Sequence, residues 1–172
     1  MDLAATVGLR LRKLREAQGI SLSELARRSK IGKGTLSELE SGRRNPTLET
    51  LYALTTALKV PLSTALHDLA SPAKISGHAV EAVLIERFEA ETSVTETYRV
   101  RIRAGATQES AAHSSGTTEH IIILTGMARV GGLTDPVLIG PGMHGSWAAD
   151  VPHLYQAPAG DVEALLVVRY PQ

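Results

Sequence analysis

Apolar residues along this 172-residue chain follow two different periods, and the change comes near residue 70. Ahead of it the spacing is helical. Val7, Leu11 and Leu14 share one face of residues 4–18, with Arg10, Arg12, Lys13 and Arg15 around the rest. Residues 21–42, SLSELARRSKIGKGTLSELESG, predict two short helices around a tight, glycine-marked turn. Ser21 and Glu24 stand three apart, the spacing at which each caps the other's backbone donor. Leu22, Leu25 and Ala26 form the apolar face of the first helix, and Lys30, Ile31 and Gly32 break it. Leu36 and Leu39 resume the pattern until Gly42 stops it. Thr47 caps a fourth helix reaching Lys59, with Leu48, Leu51, Leu54 and Leu58 as its buried stripe, and Pro61 opens a fifth that ends near Leu69.

Beyond a turn-rich stretch at 70–78 the period becomes two. Val80, Val83, Ile85 and Phe88 share one strand. Val94, Tyr98, Val100 and Ile102 alternate with Glu96, Thr97, Arg99, Arg101 and Arg103 in a longer one. Residues 121–124, 128–130, 137–139 and 164–168 follow as short apolar runs bounded by turn formers. With no helical segment among them, these strands predict an antiparallel sandwich or barrel. The expected fold class is α + β in two domains: a five-helix bundle at 1–69, a linker at 70–78 and a β-barrel at 79–172.

Composition narrows the chemistry. The chain has no cysteine, which excludes disulfides and thiolate ligands. No basic start precedes an apolar leader, and no run approaches the ~18 apolar residues of a membrane span, so a cytoplasmic, non-membrane protein is expected. The net charge of zero hides an asymmetry. Residues 1–69 carry 11 Lys and Arg against 7 Asp and Glu, and the remainder reverses those numbers. Basic charge thus gathers on the helical half, as phosphate neutralisation requires.

The second helix of the 21–42 pair turns Lys33, Thr35, Ser37 and Glu38 away from Leu36 and Leu39. A polar helix braced by a buried turn suits a DNA major groove. Residues 9–66 resemble the phage-repressor (Cro-like, XRE-type) helix-turn-helix family, with a lambda-repressor-like bundle. The markers are Leu14-Arg15-Glu16 before Gly19, Ser21-Leu22-x-Glu24-Leu25-Ala26, Leu36-Ser37-x-Leu39-Glu40-x-Gly42, and Asn45-Pro46-Thr47-Leu48. The chain departs from the family at Gly32, in place of a serine cap, and at Gly34, a helix position where glycine costs about 1 kcal/mol relative to alanine. The resemblance implies a double-stranded operator read by residues 32–41. Lys33, Ser37 and Glu38 are the candidates for base edges, Thr35 meets a thymine methyl or a phosphate, and Gly34 is counted among the DNA-binding residues. Ser21, Ser23, Arg43, Arg44 and Asn45 then contact phosphates.

Five of the six histidines lie in the β half: His78, His113, His120, His144 and His153. The run from His113 through Ser115 and Glu119 to Gly126 resembles the first signature of cupin (jelly-roll) barrels, and residues 142–153 resemble the second, ending at His153. In metal-binding cupins these signatures supply three imidazoles and a carboxylate. Carried over, His113, Glu119 and His153 are retained, and Ser115 stands where the second histidine belongs. The resemblance leaves three readings: a divalent metal site for Zn, Fe or Ni completed by water, hydrogen-bonding groups of a small-molecule pocket, or a core pair. His120 and His144 are further candidates, although alternation turns His120 away from Glu119.

Together the two resemblances imply a bacterial one-component transcription regulator, a homodimer controlled by a small effector in the barrel and not an enzyme. The rivals are a metal-dependent cupin dioxygenase or isomerase, and an antitoxin or phage-type repressor lacking a small ligand. Other patterns are weak: the β-half glycines follow no phosphate loop, and Arg99, Arg101 and Arg103 stripe a strand face.

Overall fold

Among the described residues four helices end the same way, and that repeated ending sets the helical architecture. The computed structural model describes residues 3–66 and 74–172 and divides into two compact units, 1–73 and 74–172. The helices are α1 (Leu3–Ala17), α2 (Leu22–Ser29), α3 (Lys33–Glu40), α4 (Leu48–Ala57) and α5 (Leu62–Leu66). After α1 to α4 comes a left-handed residue: Gly19, Lys30, Gly42 or Lys59. In each case the next residue donates back across the last turn: Ile20 to Arg15, Ile31 to Ala26, Arg43 to Glu38 and Val60 to Thr55. This is the Schellman closure, which satisfies carbonyls that a helix end leaves open.

The α2–α3 turn therefore pivots on Lys30 at φ 57°, whereas Gly32, the glycine expected to mark it, has an ordinary φ of −56°. Only half of the expected capping box forms. Ser21 Oγ accepts from the Glu24 amide at 3.1 Å, and the Glu24 carboxylate turns instead to Arg27 and Arg28. Thr47 caps α4 as expected, accepting from Thr50. The core gathers Val7, Leu11, Leu25, Leu36, Leu39, Leu51, Leu54, Leu58 and Leu62. Burial of each such side chain contributes about 1.5–3 kcal/mol. α1 crosses α3 without clearance, because a Cβ on Gly8 would stand 2.1 Å from the Leu39 carbonyl oxygen.

The expected end of α5 near Leu69 and linker residues 70–73 lie outside the described residues. Residues 74–76 of the expected linker are a strand. The second unit comprises β1 (Lys74–Ser76), β2 (Val80–Ala90), β3 (Ser93–Ile102), β4 (Thr107–Ser110), β5 (Thr118–Thr125), β6 (Ala128–Gly132), β7 (Val137–Ile139), β8 (His144–Ala148), β9 (His153–Gln156) and β10 (Val162–Pro171). They form a six-stranded antiparallel sheet, β1-β2-β3-β10-β5-β8, and a four-stranded one, β4-β9-β6-β7. The expected barrel is not closed. Closure needs one continuous staggered ladder, and here two ladders end separately, at β1 and β8 in one sheet and β4 and β7 in the other.

Inward positions of the large sheet keep strict parity: Val94, Tyr98, Val100 and Ile102 on β3; Ile121 and Ile123 on β5; Val162, Ala164, Leu166 and Val168 on β10. β2 loses its parity at a bulge between Leu84 and Glu86, so Ile85 and Phe88 emerge exposed. No described helix is long and apolar enough to cross a membrane.

Candidate functional site

The first candidate surface is α3 and the loop after it. Leu36 and Leu39 are buried, while Lys33, Gly34 and Glu38 are exposed and Thr35 and Ser37 half-buried. Ser21, Ser23, Arg43, Arg44 and Asn45 are all exposed. Arg44 Nη1 lies 3.5 Å from Glu38 Oε2, a solvent-screened pair that links an expected phosphate contact to an expected base reader. Arg15 holds α3 in place. Its Nε and Nη2 each donate to the Glu40 carboxylate at 2.7 Å, and Nη1 donates to the Ile20 carbonyl. Both partners are largely buried, so the fork ties α3 to α1 and to the turn before α2.

The second candidate is sealed inside the strand unit. Glu119 is the second residue of β5, between Val168 of β10 and Trp147 of β8, and is fully buried. His153 opens β9 in the smaller sheet, opposite Ser110 and Gly132. His113 lies on the segment entering β5, held by its amide to the Ala149 carbonyl, while the Thr117 carbonyl accepts from Ala149. Asp150 Oδ2 accepts from the amide of Gly116, at φ +77°, and closes the turn between them. Nitrogen and carboxylate atoms of His113, Glu119 and His153 come within 4.8 Å of one another, and all three residues are buried.

Hydrogen bonds orient this trio. His113 Nε2 donates to Glu119 Oε1 at 2.9 Å, and the Tyr155 hydroxyl donates to Glu119 Oε2. His153 Nδ1 contacts the Val151 carbonyl oxygen at 2.9 Å and must donate there, so neutral His153 presents a lone pair on Nε2. That atom is buried, makes no hydrogen bond, and lies 3.4 Å from Glu119 Oε2. Burial acts most strongly on Glu119 and opposes its ionisation. The His113 hydrogen bond, the His113 and His153 charges and the Tyr155 hydroxyl outweigh it together, and hold the carboxyl below its ordinary range. His153 Nε2 and Glu119 Oε2 thus stand close enough to pair directly when the imidazole carries a proton there, or to share a cation when it does not. Two imidazoles, one carboxylate and the outer Val151 hydrogen bond form a donor set that fits Zn, Fe or Ni.

A relative aligns along nearly the whole chain: the HTH-type transcriptional regulator SutR of Escherichia coli is 30% identical over 160 residues, 90% of this chain and 89% of that protein. The helix-turn-helix family HTH_3 matches residues 11–64. This chain belongs to the helix-turn-helix transcriptional regulators. The regulator ClgR of Mycobacterium tuberculosis is 45% identical over 62 residues, 36% of this chain and 55% of that one. The crystal structure of an HTH_3 family transcriptional regulator from Vibrio cholerae has the same fold, with a TM-score of 0.89 and 24% identity, covering 99% of this chain and 98% of that one.

Within this regulator the structure brings together three of the four expected barrel residues. Ser115 does not join them, because it is exposed in the turn before β5. The turn that pins His113 carries Ser115 outward, and nothing in the trio replaces the missing imidazole. His120 and His144 also stay outside. They are exposed, with His120 Nδ1 3.4 Å from His144 Nε2, the rings edge to edge and nearly coplanar. Sequence reading missed Tyr155, two residues beyond His153 and thus on the same strand face. It also grouped Glu96 with the solvent-facing residues, yet Glu96 shares parity with Val94 and Tyr98. It is buried, accepts from the Tyr98 hydroxyl, and flanks Val168 opposite Glu119.

Proposed function

We propose that this regulator binds a specific operator as a homodimer and that the occupancy of its buried trio governs the binding. One observation carries the reading: α3 presents an exposed polar face on a fully buried Leu36/Leu39 stripe, braced by Arg15 and Glu40, in a chain related to a named regulator over 90% of its length. In the groove, Lys33 donates to guanine acceptors and Glu38 accepts from a cytosine amine. Ser37 assists at the base edges, and Thr35 meets a thymine methyl or a phosphate. Ser21, Ser23, Arg43, Arg44 and Asn45 hold phosphates and set register. A two-fold dimer places its two reading helices about 34 Å apart.

His113, Glu119 and His153 then serve as the seat of the effector, a divalent transition metal or a small ligand bearing a cationic group. Such a cation supplies the positive charge that His153 Nε2 and Glu119 Oε2 face together. An effector controls DNA binding only by distinguishing two states of the protein. Selection of bound duplexes from a random pool, with Zn, Fe(II), Ni or chelator present, tests both parts. A recovered palindromic site whose affinity shifts with one metal supports the reading. No enrichment from any pool defeats it.

A further inference from the structure

The helical unit has five glycines among its described residues, and the fold demands three of them. Gly19 and Gly42 take φ of +66° and +70°, and a Cβ on Gly42 would lie 2.8 Å from the Ala5 Cα. Gly8 has no room beside the Leu39 carbonyl. Gly32 and Gly34 satisfy no such demand. A Cβ on Gly32 would meet only Thr35 Oγ1, at 3.7 Å, and Gly32 leaves α3 without the side-chain cap that serine or aspartate supplies. Gly34 lies within the helix, is exposed, and would carry a Cβ with nothing inside 4 Å. Among helix residues only proline is worse than glycine, so alanine here would fit and strengthen α3.

Helix stability is thus given up at two positions flanking Lys33, and among the described residues only Thr35 Oγ1 comes near the space. The place is telling. At 3.6 residues per turn Gly34 stands roughly 160° and 140° from Leu36 and Leu39, at the crown of the outward face. Lys33 beside it is exposed, and Arg43 and Arg44 follow the helix with their own positive charge. We infer that duplex DNA occupies this space: the Gly34 Cα seats directly against base edges, Gly32 clears the adjoining wall, and the two missing side chains set how deeply α3 enters the groove. Gly34 is then a specificity-setting position that acts by having no side chain. This inference rests on the DNA-reading proposal above.

The test uses the full chain and the operator recovered from the random pool. Gly34→Ala is compared with the parent, with Gly32→Ser, and with the Arg43→Ala/Arg44→Ala double variant as a charge control. The expected result for Gly34→Ala is a melting temperature of the helical unit higher by about 4–8 °C, operator binding weakened at least tenfold, and an unchanged salt slope. Gly32→Ser is expected to follow it with a smaller loss. Gly34→Ala binding as tightly as the parent overturns the inference. So does a lowered melting temperature, which would return the glycine to the needs of the fold. A parent that binds no duplex defeats the DNA-reading proposal first; a parent that binds and responds to the arginine control, alongside an indifferent Gly34→Ala, defeats this inference alone.

Discussion

The crown of α3 and the trio beneath β5 are built on opposite principles. The helix face is open, sparsely paired and stripped of side chains at Gly32 and Gly34. The trio is closed off, with Glu119 and His153 at zero exposure and Glu119 held by donors from His113 and Tyr155. A surface that meets a large, hydrated partner gains by leaving room for it. A site that holds a small charge gains by excluding water, because low local dielectric strengthens each polar contact and penalises each unpaired one. Changes on the helix face should therefore alter binding with little cost in stability, and changes in the trio should cost stability first.

The largest effect is expected inside. Glu119→Ala removes the buried acceptor that His113 Nε2 and the Tyr155 hydroxyl share, for a loss of about 3–5 kcal/mol from the strand unit. Urea denaturation followed by Trp147, whose ring centre is 6.2 Å from that of His153, reads it; a loss below 1 kcal/mol would show that the trio is not a cooperative network. Gly8→Ala comes next. Its Cβ meets a backbone oxygen that cannot swing away, so overpacking of about 1–3 kcal/mol should unseat α3 from α1 and lower thermal stability and DNA affinity together. Unaltered melting would mean that α1 slides freely.

On the exposed face, Arg43→Ala/Arg44→Ala should leave melting unchanged and reduce the slope of log affinity against log salt by about one unit per arginine. An unchanged slope removes both from the phosphate contacts. The smallest effect belongs to Glu24. Its carboxyl is lowered from an ordinary 4.5 to about 2, first by the Arg27 hydrogen bond and then by Arg28, against a small opposing desolvation. The folded value is depressed, so its stabilisation is complete above 4.5 and fades as pH falls through about 2. Carboxyl carbon NMR of Glu24 should titrate near the lower value; a midpoint at the ordinary one would mean that both arginines point to solvent.

Much of this was legible from spacing alone. Apolar residues three and four apart located α1 to α4, because a helix buried on one side must repeat them at that interval, and Pro61 marked the start of α5. Alternation located β3 for the corresponding reason in a sheet, and short apolar runs bounded by turn formers located β5 and β10. The carboxylate and two imidazoles of the trio were legible through the spacing they share with the cupin signatures. Folding in three dimensions was needed for what depends on distance between remote segments. Arg15 and Glu40 are 25 positions apart, and Tyr155 is 36 positions from Glu119. Ser115 and His113 differ by two positions and end on opposite sides of the protein surface, because a turn locked by Asp150 intervenes. Local pattern reports which face a residue takes along its own element. Whether a glycine fills a cramped crossing, as Gly8 does, or leaves a space for something else, as Gly34 does, depends on atoms that only packing brings near.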